Sequence, residues 1–357
     1  MTDLMSKSLQ LALTFGAGLA GALVAHAVGL PIPFLLGSLA VTATVALTLA
    51  ARTGKALFFP KLLRETFIAV AGAMIGTTFT PDILLMAPTL IITLCAMMVF
   101  VALAQGTNYA IFRHMGGYDR ATATYAAMPG GLIEAVELGE RAGGDVETLS
   151  IQHFVRIVLV IVTVPMLFLV VTGEAVGSAA GQTLEKSPAD WQDWMLIAVL
   201  APVGMILGKV LRLPAAPLIG PMVLTAGLQA TEAIDLQGPQ ILLNAAQLVI
   251  GVSLGTRFAN STPRRLVAAL GLGVVSITAT LTIASVMSLA IVPFVPLSFQ
   301  TLLISFSPGG VTEMSLVALS LGVSPVLVST HHLFRILFTV GVASLLAKRV
   351  GNQTPET

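Results

Sequence analysis

The sequence predicts an all-α integral membrane protein. It is expected to contain two inverted repeats, each with five transmembrane helices and one re-entrant hairpin broken at Pro-Gly-Gly. Three observations carry this. First, only 10% of the 357 residues are charged while 56% are hydrophobic, whereas a soluble domain carries about 25% charge. So few charges cannot cover the surface of a soluble fold of this size. Second, the apolar runs are about 20 residues long, as a spanning helix requires, where barrel strands would be about 10 with strict alternation. Third, a Pro-Gly-Gly block occurs once in each half of the chain, in matching register.

The same composition excludes several functions. A net charge of +1 does not suit a general nucleic-acid binder. The one cysteine, Cys95, leaves no disulfide framework and no thiolate-ligated cluster. Polar stretches reach roughly 20 residues at most, too short for a separate catalytic or DNA-binding domain. Lys7 and the run to Ala25-His26-Ala27 have the form of a cleavable leader. That stretch recurs later in the chain, however, which a leader would not.

The recurrence is specific. Met128-Pro129-Gly130-Gly131-Leu132-Ile133-Glu134 matches Ser307-Pro308-Gly309-Gly310-Val311-Thr312-Glu313 at an offset of 179. The same offset pairs His153 with His332 and Arg156 with Arg335, and it pairs Gly72, Gly76, Thr77 and Phe79 with Gly251, Gly255, Thr256 and Phe258. Upstream, Leu30-Pro31 and Gly37 pair with Leu213-Pro214 and Gly220 at an offset of 183. Chance likeness of apolar sequence does not bring Pro, Gly, Glu, His and Arg into one register; internal duplication does. The repeats are expected at 1–180 and 181–357.

Hydropathy places the first repeat's elements at 9–28, 32–51, 62–80, 83–105, a broken element at 119–142, and 146–172. The second has 191–210, 214–231, 239–258, 263–292, a broken element at 298–321, and 325–347. Charge then orients them. Basic residues cluster at Arg52, Lys55, Lys61 and Arg64; at Arg113 and Arg120; at Lys209 and Arg212; at Arg257, Arg264 and Arg265; and at Lys348 and Arg349. The positive-inside rule puts all of these in the cytoplasm. Segment 173–190, with only Lys186, and segment 232–238, with no Lys or Arg, then lie outside. If the broken elements crossed the membrane, the clusters would fall on both sides. If each enters and leaves on one face, every cluster falls inside, the halves are inverted, and both termini are cytoplasmic. The main alternative is an unwound spanning helix at each break, with another element failing to cross.

Proline removes a backbone donor and clashes with the preceding turn, and the two glycines permit positive φ and close backbone approach. In hydrocarbon such a break is tolerated only when buried in protein or lining a wet cavity. Arms of about ten residues are about 15 Å long, half of a bilayer core about 30 Å thick, so the two tips are expected near the midplane. Free N–H groups and the positive helix end favour an anion there, and paired interrupted segments mark a transporter's binding site. The candidate substrate-binding residues are Pro129, Gly130, Gly131 and Arg156, with Ser307, Pro308, Gly309, Gly310, Thr312 and Arg335. Arg156 and Arg335 lie in apolar runs, where a guanidinium needs an anionic partner. That partner is either an internal carboxylate, Glu134 or Glu313, or a substrate. Glu134 and Glu313 either cap N–H groups or serve in coupling to H⁺ or Na⁺. His153 and His332 share a helix face with the arginines three residues on, and are either hydrogen-bonded neutral residues or a proton relay.

Other motifs carry less. Gly16-Ala17-Gly18-Leu19-Ala20-Gly21 fits a nucleotide fingerprint but follows no strand, so it reads as helix-packing glycine, like Gly72/Gly76, Gly204/Gly208 and Gly251/Gly255. Gly251-Val252-Ser253-Leu254-Gly255 fits a nucleophile elbow, but the first copy has Met74 where this one has Ser253. His331 and His332 are adjacent, so they diverge by about 100° on a helix, and no His-Glu-x-x-His occurs. No metal, cofactor or enzymatic activity is expected.

With its doubled Pro-Gly-Gly-x-x-Glu followed by His-x-x-Arg, the sequence resembles the membrane AbrB family over almost the whole chain. These bacterial proteins carry a duplicated domain and are unrelated to the small DNA-binding regulator of the same name. They are often labelled ammonia monooxygenase or aidB regulator. The resemblance implies a bacterial inner-membrane protein linked to regulation of gene expression. It names no substrate and no site residues.

Together these features lead to a secondary transporter of a small organic anion or polar metabolite, alternating access around the tips. Its partners would be the substrate and the lipid bilayer, with no nucleic acid; self-association is left open. A membrane sensor acting through another protein is the second reading, and a metal-dependent monooxygenase the third. In a Cys95→Ser background, single cysteines at 182, 236 and 323 are expected to react with an impermeant thiol reagent from the periplasmic side, and those at 55, 116 and 262 are not. Periplasmic labelling at 116 would remove the inverted arrangement.

Overall fold

The computed structural model describes residues 7–54, 57–79, 87–172, 190–236, 238–260 and 263–351. Lys55 and nearly all of segment 173–190, including Lys186, lie outside the described residues. Among the described residues no strand occurs. The first half runs α1 (Lys7–Ala27), α2 (Pro33–Thr53), α3 (Lys61–Gly76) and α4 (Ala87–Ala110), with a π-helical turn at Ile111–Met115. Two short helices follow, α5 (Arg120–Ala126) and α6 (Leu132–Arg141), and then α7 (Val146–Thr172). The second half runs α8 (Trp191–Val210), α9 (Ala216–Ala230), α10 (Gln240–Thr256) and α11 (Pro263–Ile291). It ends in two short helices, α12 (Phe299–Phe306) and α13 (Val311–Ser320), and α14 (Pro325–Gly351). Helix starts coincide under the sequence offsets: Lys61 with Gln240, Arg120 with Phe299, Leu132 with Val311, Val146 with Pro325, and Pro33 with Ala216.

Eight helices among the described residues are long and apolar enough to cross a membrane, so the chain is a multi-pass membrane protein. Exposed Leu9, Leu13 and Leu23 on α1, Val203 and Ile206 on α8, and Val267 and Val274 on α11 are the surface that hydrocarbon solvates. Two expected spans are shorter. α3 has 16 residues and α9 has 15, about 24 and 22 Å at 1.5 Å per residue. Local backbone explains both. Ala215 is left-handed at φ 47, so α9 begins only at Ala216. α3 starts after Pro60 and ends at Gly76, where the Thr77 and Thr78 hydroxyls donate to the carbonyls of Met74 (2.8 Å) and Ile75 (2.7 Å).

The chain forms two compact units, and each draws helices from both halves. The first comprises Met1–Ile83, Val162–Thr262 and Thr312–Val326. Here α2 packs on α1 and α10, while α9 packs on α8 and α3. Glycine makes these contacts close. A Cβ on Gly72 would lie 2.4 Å from Leu218 O, and one on Gly251 2.5 Å from Leu35 O. A Cβ on Gly76 would meet Thr225, and one on Gly255 would meet Thr42. Leu35 and Thr42 match Leu218 and Thr225 at the offset of 183, so one contact is made twice by corresponding residues. In the glycine run of α1, Gly18 and Gly21 serve in packing, whereas Gly16 faces open space.

The second unit comprises Leu84–Ile161, Pro263–Val311 and Leu327–Thr357. α4 lies on α11, joined by Asn108, whose Nδ2 donates to Thr280 Oγ1 (3.2 Å) and whose Oδ1 accepts from Ser276 Oγ (2.7 Å). Gln105 Nε2 donates to Thr124 O (2.8 Å), tying α4 to α5. Phe100 on α4 stands 5.7 Å from Phe306 on α12, ring centre to ring centre. Gly72→Ala and Gly251→Ala are each expected to lower stability by about 1–3 kcal/mol, because their Cβ meets unyielding backbone. Gly16→Ala should be neutral or slightly stabilising through helix propensity. Melting temperatures of the three detergent-purified variants check this.

Candidate functional site

Each broken element is built alike. Asp119 caps α5 by accepting from Thr122 N (2.9 Å), and Ser298 caps α12 by accepting from Thr301 N (3.2 Å). Residues 119 and 298 are in register at 179. α5 stops at Ala126 and α12 at Phe306, just short of Pro129 and Pro308, as the loss of a proline donor requires. At the first tip Met128, Pro129, Gly130 and Gly131 are buried, and at the second so are Ser307, Pro308 and Gly309. Gly310 and Thr312 are half-buried. Gly131, at φ 70, takes the left-handed turn that starts α6. The first tip rests on α14: a Cβ on Gly130 would lie 3.3 Å from Ile336 Cα, and one on Gly131 2.8 Å from a Val340 methyl.

Arg156 and Arg335 sit against these tips, 7% and 1% exposed. Arg156 Nη1 donates to Met128 O. Arg335 Nη1 donates to Ser307 O (2.5 Å) and Nη2 to Gly309 O (2.6 Å). Met128 and Ser307 are again matched residues, so the two arginines make the same bond in both copies. The Nε of each is buried without a hydrogen-bond partner, and the two charges are close enough to repel each other. Neither arginine forms an ion pair among the described residues. A hydrogen bond from a charged group contributes about 1.5–3 kcal/mol, against a desolvation cost of several kcal/mol per buried ion. Two carbonyls roughly offset that cost at Arg335; one does not at Arg156.

The histidines divide. His153 Nε2 donates to Tyr125 O (3.0 Å), near the end of α5, while His332 Nδ1 donates to Val328 O (2.9 Å) in its own helix. Both rings are fully buried. The glutamates divide too. Glu134 is exposed, whereas Glu313 is buried and pairs, within the first unit, with Arg64 Nη2 at 3.7 Å. Of the residues singled out from sequence, those around Pro129–Gly131 and Ser307–Gly309, with both arginines and both histidines, lie in the second unit, and Thr312 and Glu313 lie in the first. Sequence reasoning did not assign Arg64 or Arg257 to a site. One signal was available for Arg257: Gly76-Thr77-Thr78-Phe79 aligns with Gly255-Thr256-Arg257-Phe258, a match broken only by a new charge.

A cavity of about 210 Å³ adjoins the first tip. Its lining includes Tyr125, Met128, Gln105 and Thr339, and Gln105 Oε1 and Thr339 Oγ1 are buried without a hydrogen-bond partner. Among the described residues no three His, Cys, Asp or Glu side chains are grouped as metal ligands. The two left-handed glycines Gly131 and Gly143 separate strain from packing. Gly143, at φ 81, has open space around it, so Gly143→Ala should cost only the left-handed strain of about 1–2 kcal/mol. Gly131→Ala adds a clash with Val340 and should cost about 1–3 kcal/mol more. Thermal unfolding of the two variants gives the difference.

Comparison with known proteins gives the chain a family. The sequence profile of the family described as "Transition state regulatory protein AbrB" matches residues 43–351. The chain is 26% identical over 317 residues to "Putative regulator AbrB" of Escherichia coli (strain K12), covering 88% of this chain and 89% of that protein. It is 22% identical over 255 residues to "Uncharacterized protein YhjN" of Bacillus subtilis (strain 168), covering 68% of this chain and 66% of that one. With its duplicated tips and a family match over most of its length, the chain belongs to the AbrB family.

Proposed function

We propose that this protein is a secondary transporter of a small organic anion or polar metabolite, coupled to H⁺ or Na⁺, and not an enzyme. One observation carries the reading: two guanidiniums buried at two interrupted helices, bonded to tip carbonyls and unpaired with any carboxylate among the described residues. In a membrane protein, buried charge beside broken helices marks a ligand or ion path. The anion would be received by Arg156, Arg335 and the tip backbone, with Glu134, Glu313, His153 and His332 serving in coupling.

Alternating access would come from inverted repeats whose broken elements are re-entrant hairpins, in the bacterial inner membrane with both termini cytoplasmic. Ion pairs support that topology. Lys209 bonds Glu65 at 2.6 Å, and Arg265 lies 2.6 Å from Glu147 and 3.7 Å from Asp145. Each pair joins ends that the charge rule puts on the cytoplasmic face. The name of the E. coli relative, "Putative regulator AbrB", favours a second reading, a membrane regulator acting through a partner protein, which requires no flux.

The test is a thermal-shift screen of small carboxylates on purified protein, followed by uptake of the hits into proteoliposomes. Arg156→Gln, and Arg335→Lys with its charge kept, are each expected to weaken binding about 10- to 100-fold, the worth of one charge-assisted bond of about 1.5–3 kcal/mol. Binding without uptake would favour the regulator, and neither would refute both the anion and its site.

A further inference from the structure

The first unit contains a charge cluster that the repeat does not explain. Arg64 Nη2 stands 3.7 Å from the buried Glu313 carboxylate, beyond hydrogen-bond length, and Arg64 Nε is buried without a partner. Arg257, on the turn following α10, lies within electrostatic range of both. Two guanidiniums thus stand in the field of one carboxylate, which leaves one positive charge unbalanced and the Arg64 Nε donor unused. The nearby Glu65 does not supply the missing anion, because Lys209 (2.6 Å) and Lys61 (3.5 Å) already hold it. Helix electrostatics do not account for Arg64 either, since it stands near the N-terminus of α3, where the dipole disfavours a cation.

The duplication points the same way. Packing glycines and tip residues recur in both copies, but Leu243 and Thr78 occupy the positions matching Arg64 and Arg257. The first copy's glutamate, Glu134, is exposed. Arg64 comes from the first copy and Arg257 from the second, neither recurs in the other, and both stand near the buried glutamate of the second copy.

We infer that Arg64 and Arg257, with Glu313 as their internal counter-ion, form a binding site for a monovalent oxyanion, either a small carboxylate or a phosphate group. Both arginines are partly exposed, the charge rule puts both at the cytoplasmic face, and their planar donor forks suit such an anion in bidentate fashion. The site uses none of the tip arginines assigned to transport.

The test uses full-length protein in neutral-lipid nanodiscs, titrated with acetate and with inorganic phosphate against chloride at constant ionic strength. A parallel set of discs contains phosphatidylglycerol. Saturable stabilisation by the oxyanions is expected. Arg64→Gln and Arg257→Gln should each weaken it at least tenfold, and Arg257→Lys, which keeps the charge, should weaken it less. Glu313→Gln, which removes the internal competitor, should tighten it severalfold. Stabilisation by phosphatidylglycerol alone, lost in Arg257→Gln, keeps the site and assigns its oxyanion to a lipid headgroup. An unchanged response in both arginine-to-glutamine variants, or no response to any oxyanion, overturns the assignment. Loss of transport with Arg257-dependent binding intact removes only the transport reading.

Discussion

Every feature of the centre depends on how two interrupted helices satisfy their backbone inside an apolar protein. Pro129 and Pro308 end the preceding helices and free carbonyls that water would otherwise solvate. A peptide group buried without a partner costs several kcal/mol in hydrocarbon. Arg335 meets two of these carbonyls and Arg156 one. A guanidinium suits the task because its donors are many and lie in one plane. The solution creates a second constraint, since the arginines bring charge into the buried interior. The break in the helix and the arginine that bonds its carbonyls are therefore links of one chain of cause.

Close packing shapes each unit by itself. Gly72 against Leu218 and Gly251 against Leu35 bring helix backbones together in the first unit, where packing, and not a hydrophobic drive, must hold helices in lipid. In the second unit polar side chains supplement apolar contact. Asn108 bridges to Ser276 and Thr280, and Gln105 ties α4 to the arm that leads to the first tip. These bonds are buried, so each fixes helix register as well as adding stability.

The two copies are alike where structure demands it and unlike where charge is concerned. Helix caps, arginine-to-carbonyl bonds and glycine contacts recur at fixed offsets. Glu134 and Glu313 do not share an environment: one is exposed, and the other is buried beside Arg64 with Arg257 near. The two halves thus stay alike in packing and depart from each other in charge.

Sequence alone determined the helical membrane class, the duplication and the places where helices break. Each of these follows from composition, run length or the local chemistry of Pro and Gly, which act within a few residues. It also placed Arg156 and Arg335 among the residues at the tips, because a charge within an apolar run stands out wherever the chain goes. Only tertiary structure decided their partners. Arg335 bonds Ser307 and Gly309, 26 and more positions away, and Arg64 meets Glu313 across most of the chain. A long side chain selects among whatever packing brings within reach, and no local pattern encodes that choice. The shortness of α9 was hidden for a related reason. Ala215 is held left-handed at φ 47, a conformation that alanine does not prefer and that only the surrounding fold imposes.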